Sequence, residues 1–218
     1  MRIIDIKYNE IRTQFIEMLN LTHTQLEESF KIITEPDIEL SRKIIKQEFL
    51  VDKLEYKLNK NCEKFLLTCN PVADDLRNIM IINNMIPNIE RISDITVKIA
   101  RFVKKYNTKL PADFLNEIKL HDLLFHIKFM FETVIESYTE YSTIKLQDVF
   151  NRDTEVNKIT KHSKKTIIST IDNSDVDTKK MIDFLLIITQ LERLGDYLKA
   201  TSEEIYFGVE GIFIKHSY

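Results

Sequence analysis

The sequence predicts an all-α fold, with six long antiparallel helices arranged as two three-helix bundles related by internal duplication. Three observations carry this expectation. Only three glycines and four prolines occur in 218 residues, too few chain breakers for a β-rich or loop-rich protein. Apolar residues recur at helical period over long stretches. Finally, the chain repeats itself: Glu90-Arg91-Ile92-Ser93-Asp94 and Glu192-Arg193-Leu194-Gly195-Asp196 share an ERxxD pattern 102 residues apart. The same offset lays Asp75-Leu76-Arg77 on Asp177-Thr178-Lys179.

The first helix is expected from about Asp5 to Thr34, ended by Glu35-Pro36 because proline disfavours helix in the residue before it. A second covers about Ile38 to Thr68, with Ile44, Val51, Leu54, Leu58 and Phe65 as its core stripe. Asn70-Pro71 then restarts the chain, asparagine as N-cap and proline at the first helical position. The third helix reaches about Tyr106 and contains Pro87, which should kink it. Asn107-Thr108-Lys109-Leu110-Pro111 marks a boundary between halves, giving residues 1–107 and 108–218 as the two units. A fourth helix spans roughly Asp113 to Ile144 and a fifth about Leu146 to Ile171. Asp172-Asn173-Ser174 caps the sixth, which continues to near Phe207, ahead of Gly208 and Gly211. Long helices joined by short turns pack as antiparallel bundles.

Composition narrows the function classes. The net charge is −3 with 30% charged residues of both signs, and lysine doublets such as Lys104-Lys105 form no basic stripe, which argues against nucleic-acid binding. Cys62 and Cys69 fit neither a redox CxxC pair nor a zinc-finger spacing and read as small buried residues in a reducing compartment. The start of the chain carries charges where a signal peptide needs its apolar run, and no apolar run approaches transmembrane length. A cytoplasmic protein without direct membrane insertion is expected.

The ERxxD boxes are the candidate site. Each places two carboxylates one helical turn apart beside the core stripe, where like charges destabilise a helix by roughly 0.2–0.5 kcal/mol even when exposed. The duplication aligns Glu48-Phe49-Leu50-Val51-Asp52 with Asp153-Thr154-Glu155-Val156-Asn157, so each middle helix carries a second tetrad, weakened in the second half. Antiparallel packing of middle and third helices would bring two tetrads face to face. All-oxygen sets of this kind suit hard cations such as Mg²⁺, Ca²⁺, Mn²⁺ or ferric iron. Asp75 and Asp177 are possible additional ligands, and Arg91 and Arg193 possible charge partners. A single Glu-x-x-x-Asp is ordinary solvated helix surface; its repetition in equivalent places favours a site.

Pro71-Val72-Ala73-Asp74-Asp75-Leu76-Arg77, the ERxxD boxes and the ending Glu203-Glu204-Ile205-Tyr206-Phe207-Gly208-Val209-Glu210-Gly211 together resemble the PhoU family of accessory regulators of phosphate-specific transport. The resemblance implies two three-helix bundles and, for some members, multinuclear iron or zinc clusters on E/DxxxD motifs. Carried over by position, Glu48, Asp52, Glu90 and Asp94 form one metal site and Asp153, Asn157, Glu192 and Asp196 the other. The metal implied is divalent or trivalent (iron, zinc, manganese or magnesium). The resemblance further implies a negative regulator linking a phosphate ABC transporter to a sensor histidine kinase, and a homo-oligomer with a dimer favoured. The chain departs from the pattern at Lys98, which brings positive charge one turn from Asp94, and at Asn157.

Two readings compete with a regulator. A carboxylate-bridged metalloenzyme of the di-iron class uses Glu-x-x-His motifs, and none of the five histidines has glutamate three residues before it. His121 and His126 read as structural. The other competitor is a metal-free helical scaffold. Phe125, Phe129 and Phe131 read as core, or in part as a partner surface.

Overall fold

A computed structural model describes residues 3–173 and 175–213. Seven helices form from these residues, without a strand: α1 (Ile3–Thr34), α2 (Ile38–Cys69), α3 (Asp74–Tyr106), α4 (Ala112–Glu117), α5 (Leu120–Glu140), α6 (Leu146–Asn173) and α7 (Thr178–Glu210). Helices α1, α2 and α3 pack together as one bundle, and α5, α6 and α7 as the other. The two are joined by α3 against α7 and by α1 against α5, so one continuous apolar core runs through both.

The long third helices form the main seam. Asn84 Nδ2 donates to Glu204 Oε2 at 3.1 Å and Lys98 Nζ to Gln190 Oε1 at 3.4 Å, while Lys105 pairs with Asp183. This ladder runs α3 and α7 antiparallel and sets the two ERxxD boxes level with one another. Gly208 lets the helices approach closely: a Cβ there would sit 2.4 Å from Ile81 Cδ1. Apolar residues are buried along both, including Ile82, Ile86, Ile89, Phe184, Leu191 and Leu198. At about 25 cal/mol per Å² of apolar area, this burial is the dominant stabilising term.

Local chemistry departs from expectation at four places. The expected fourth helix is broken into α4 and α5, because Lys119 adopts a left-handed conformation (φ 54°). The carbonyls freed at the break are taken by α6: Ser163 Oγ donates to Ile118 O at 2.6 Å, and a His162 ring nitrogen lies 2.8 Å from Glu117 O. Asn70 does not start α3. It ends α2 in a left-handed conformation (φ 43°), a position asparagine tolerates, and α3 begins only at Asp74. Gly208 lies inside α7, which instead ends at Gly211 (φ 72°). Of the residues expected to cap α7, Ser174 lies outside the described residues, and the observed cap is Asp177, whose carboxylate accepts from Lys180 N at 3.0 Å. Pro87 sits in the interior of α3 without ending it.

Candidate metal site

Antiparallel packing of α2 on α3 brings Asp52 and Glu55 toward Glu90 and Asp94. Burial pushes the Glu90 carboxyl up to about 7, reinforced by the charges of Asp94, Glu55 and Asp52 and opposed by Arg91. Glu55 is raised by burial first and then by Asp52 and Asp94, against a hydrogen bond from Asn59. Among the described residues, none of these four carboxylates has an ion pair. Such a place disfavours its own negative charge and favours a cation or a proton.

Glu48 is not part of this group. Its carboxylate accepts from the Arg101 guanidinium at 3.2 Å across the α2–α3 interface. Glu55 takes its place. Sequence reasoning missed Glu55, although Glu48, Asp52 and Glu55 stand at i, i+4 and i+7 and therefore share one helix face. Lys98 turns away from Asp94 toward Gln190 on α7, so it does not neutralise the cluster.

The equivalent place between α6 and α7 is built differently. Asp153, Glu192 and Asp196 come together, and Asp196 is raised by burial and then by Asp153 and Glu192. Here lysines supply the countercharge. Lys164 pairs with Glu192, and Lys199 Nζ lies 3.3 Å from Asp153 Oδ2. Asn157 Nδ2 faces the same oxygen at 3.5 Å. The other oxygen, Oδ1 of the buried Asp153, has no hydrogen-bond partner and lies 3.5 Å from where a Cβ of Gly195 would be. Lys164 and Lys199 were also missed, though they stand seven residues from Asn157 and three from Asp196.

Of the remaining expected residues, the two aspartates lie elsewhere and the two arginines stand beside their boxes. Asp75 and Asp177 are each 15 residues before their box glutamate, about 22 Å away along a helix. The Tyr8 hydroxyl on α1 is raised mainly by burial, with Asp75 a minor contributor, and Asp177 serves as the α7 cap. Arg91 lies over the Tyr197 ring across the seam at 5.6 Å and Arg193 is exposed, and their charges oppose the upward shifts of Glu90 and Asp196 respectively.

As a donor set, the first cluster fits a hard cation: four carboxylates without an ion pair, of which Glu55 and Glu90 are partly desolvated and Asp52 is exposed. Ligand atoms from three residues lie within 4.8 Å of one another only at His23, Glu27 and Glu132 among the described residues, so the four carboxylates stand further apart and close around an ion only by side-chain movement. The second cluster fits poorly, since two ammonium groups already hold its carboxylates.

A PhoU-domain family model matches residues 15–103 and 120–205, one copy in each half. A phosphate-specific transport system accessory protein PhoU homolog from Clostridium acetobutylicum is 22% identical over 211 residues, covering 96% of this chain and 95% of that protein. A homolog of the same description from Borreliella burgdorferi is 26% identical over 186 residues, 84% of this chain and 83% of that one. In fold, the crystal structure of PhoU from Pseudomonas aeruginosa superposes with a TM-score of 0.89 over 95% of this chain and 99% of that chain, at 18% identity. The chain belongs to the PhoU family.

Proposed function

We propose that this PhoU-family protein is a non-enzymatic accessory regulator of phosphate transport, restraining uptake and the phosphate-starvation response when phosphate is ample. The observation that carries this reading is the match of both halves, across nearly the full length of relatives described as phosphate-specific transport accessory proteins. Its partners in this reading are a phosphate ABC transporter and a sensor histidine kinase, met from the cytoplasm, with a second copy of the chain as a further partner. Among the described residues no helix is long and apolar enough to cross a membrane, which suits a protein that docks on membrane components from outside the bilayer. Exposed apolar side chains, Phe49 and Tyr56 on α2 and Ile182 and Leu186 on α7, offer surfaces for such contacts. Regulation requires that docking free energy differ between partner states.

In the same reading, Asp52, Glu55, Glu90 and Asp94 hold a metal ion, with iron, zinc, manganese and magnesium all compatible with oxygen donors. A bound cation supplies positive charge that opposes the upward shifts of Glu55 and Glu90 and ties α2 to α3. Deleting the gene and measuring phosphate-responsive transcription tests the function. Loss of repression in phosphate-rich medium, restored by the wild-type gene, is expected; unchanged repression contradicts it.

A further inference from the structure

A second constellation sits at the other seam, where α1 of the first bundle crosses α5 of the second. His23 and Glu27 stand at i, i+4 and share one face of α1, and Glu132 approaches from α5. His23 Nδ1 lies 4.0 Å from Glu27 Oε2, and Nε2 lies 3.9 Å from Glu132 Oε1. One ligand atom from each of the three residues falls within 4.8 Å of the others. We propose that His23, Glu27 and Glu132 form a divalent transition-metal site that clasps the two bundles together.

Three features of the site point to a ligand. His23 Nε2 is sealed from solvent yet has no hydrogen-bond partner, a costly state for a ring nitrogen. The imidazole is also fixed, edge-on to Phe131 at 5.5 Å and 83°, so it presents its nitrogens to the glutamates in one orientation. Glu27 and Glu132 keep 43% and 50% of their side-chain surface exposed, which leaves an entry path and room to adjust.

Lys128 explains how the site is balanced without metal. One turn before Glu132 on α5, its ammonium pairs with Glu27 and lies 3.7 Å from Glu132. A metal ion replaces that ammonium between the same two carboxylates. One imidazole and two carboxylates suit Zn²⁺, Mn²⁺, Fe²⁺ or Co²⁺. Donors about 2.1 Å from a tetrahedral metal stand about 3.4 Å apart, so the two glutamate side chains close by up to about 1.4 Å around one His23 nitrogen. The site is separate from the acidic clusters and stands whether or not those bind metal.

Zinc titration of the full chain, followed by the imidazole nitrogen resonances of its five histidines, tests the proposal. The titration is done in a Glu90→Gln/Asp94→Asn background to remove competing oxygen ligands, with circular dichroism confirming the fold of every variant. His23 resonances are expected to shift at the lowest zinc concentrations. Glu132→Gln should weaken that binding at least tenfold, and Lys128→Met should tighten it severalfold. His23 resonances unmoved at excess zinc, or an affinity unchanged by Glu132→Gln, overturn the site. An unchanged or weaker affinity in Lys128→Met overturns the replacement of the ammonium.

Discussion

Between α2 and α3, Asp52, Glu55, Glu90 and Asp94 crowd together without an ion pair; between α6 and α7, Asp153, Glu192 and Asp196 meet Lys164 and Lys199. Both places descend from one repeated pattern, and the boxes that build them lie level across the α3–α7 seam. The difference comes from the neighbours one turn away. In the first half the nearby cations are engaged elsewhere, Arg101 with Glu48 and Lys98 with Gln190. In the second half two lysines point into the cluster. A duplicated frame therefore keeps its helices in register while its halves diverge in charge, one open to a cation and one self-neutralised.

The largest expected contrast between the halves is in metal affinity. Glu90→Gln/Asp94→Asn is expected to weaken Mn²⁺ binding by on the order of 10–100-fold, while Glu192→Gln/Asp196→Asn changes it less than about twofold. Calorimetric titration of both variants measures this, and equal losses break the comparison. Sharpening it requires the converse change: Lys164→Gln/Lys199→Gln should give the second half a measurable affinity of its own.

Removing the lysines should also cost stability. Lys199→Ala leaves the buried Asp153 carboxylate unpaired, and about 2 kcal/mol is expected from urea unfolding. That figure is scaled down from the ~3–5 kcal/mol of a fully buried pair because Lys199 is a third exposed. A loss below about 0.5 kcal/mol would show that the pair is solvated and the second cluster weakly neutralised.

The central positions of the two boxes offer a smaller contrast. Ser93 Oγ donates to Gln25 Oε1 at 2.8 Å in the buried α1–α3 interface, whereas Gly195 admits Val156 and Asp153 of α6. Ser93→Ala should cost about 1–2 kcal/mol by leaving the Gln25 oxygen unpartnered. At Gly195→Ala, a gain of up to ~1 kcal/mol in helix propensity is offset by a Cβ 3.2 Å from Val156 Cγ1, so thermal unfolding should move little.

How much of this was legible depends on what each feature requires. The helices, the core stripe of α2 and the duplication follow from periodicity, which local sequence carries. The break at Lys119 has no glycine or proline to announce it, and its carbonyls are satisfied by His162 and Ser163 of α6, partners that only the tertiary fold supplies. At the site, the box pairs Glu90–Asp94 and Glu192–Asp196 were readable as pairs. The substitution of Glu55 for Glu48 depended on which side chain Arg101 captured. Following each helix face for seven residues instead of four would have found Glu55 and Lys164.

The first cluster also has a pH signature. Because the Glu90 carboxyl is raised to about 7, the native state binds more protons than the unfolded chain between about pH 4.5 and 7. Stability from this group therefore falls as pH rises through that window. Glu90→Gln should flatten the trend and raise the unfolding midpoint at pH 7.5, read by thermal denaturation at several pH values. Metal addition should have the same effect at pH 7.5, since a cation replaces the missing proton.

Anomalous diffraction from crystals soaked in Mn²⁺ tests the central claim most directly. The account predicts a peak between α2 and α3, bounded by Asp52, Glu55, Glu90 and Asp94, and none between α6 and α7. A peak at Asp153, Glu192 and Asp196 with none at the first cluster, or no peak at either, would contradict it.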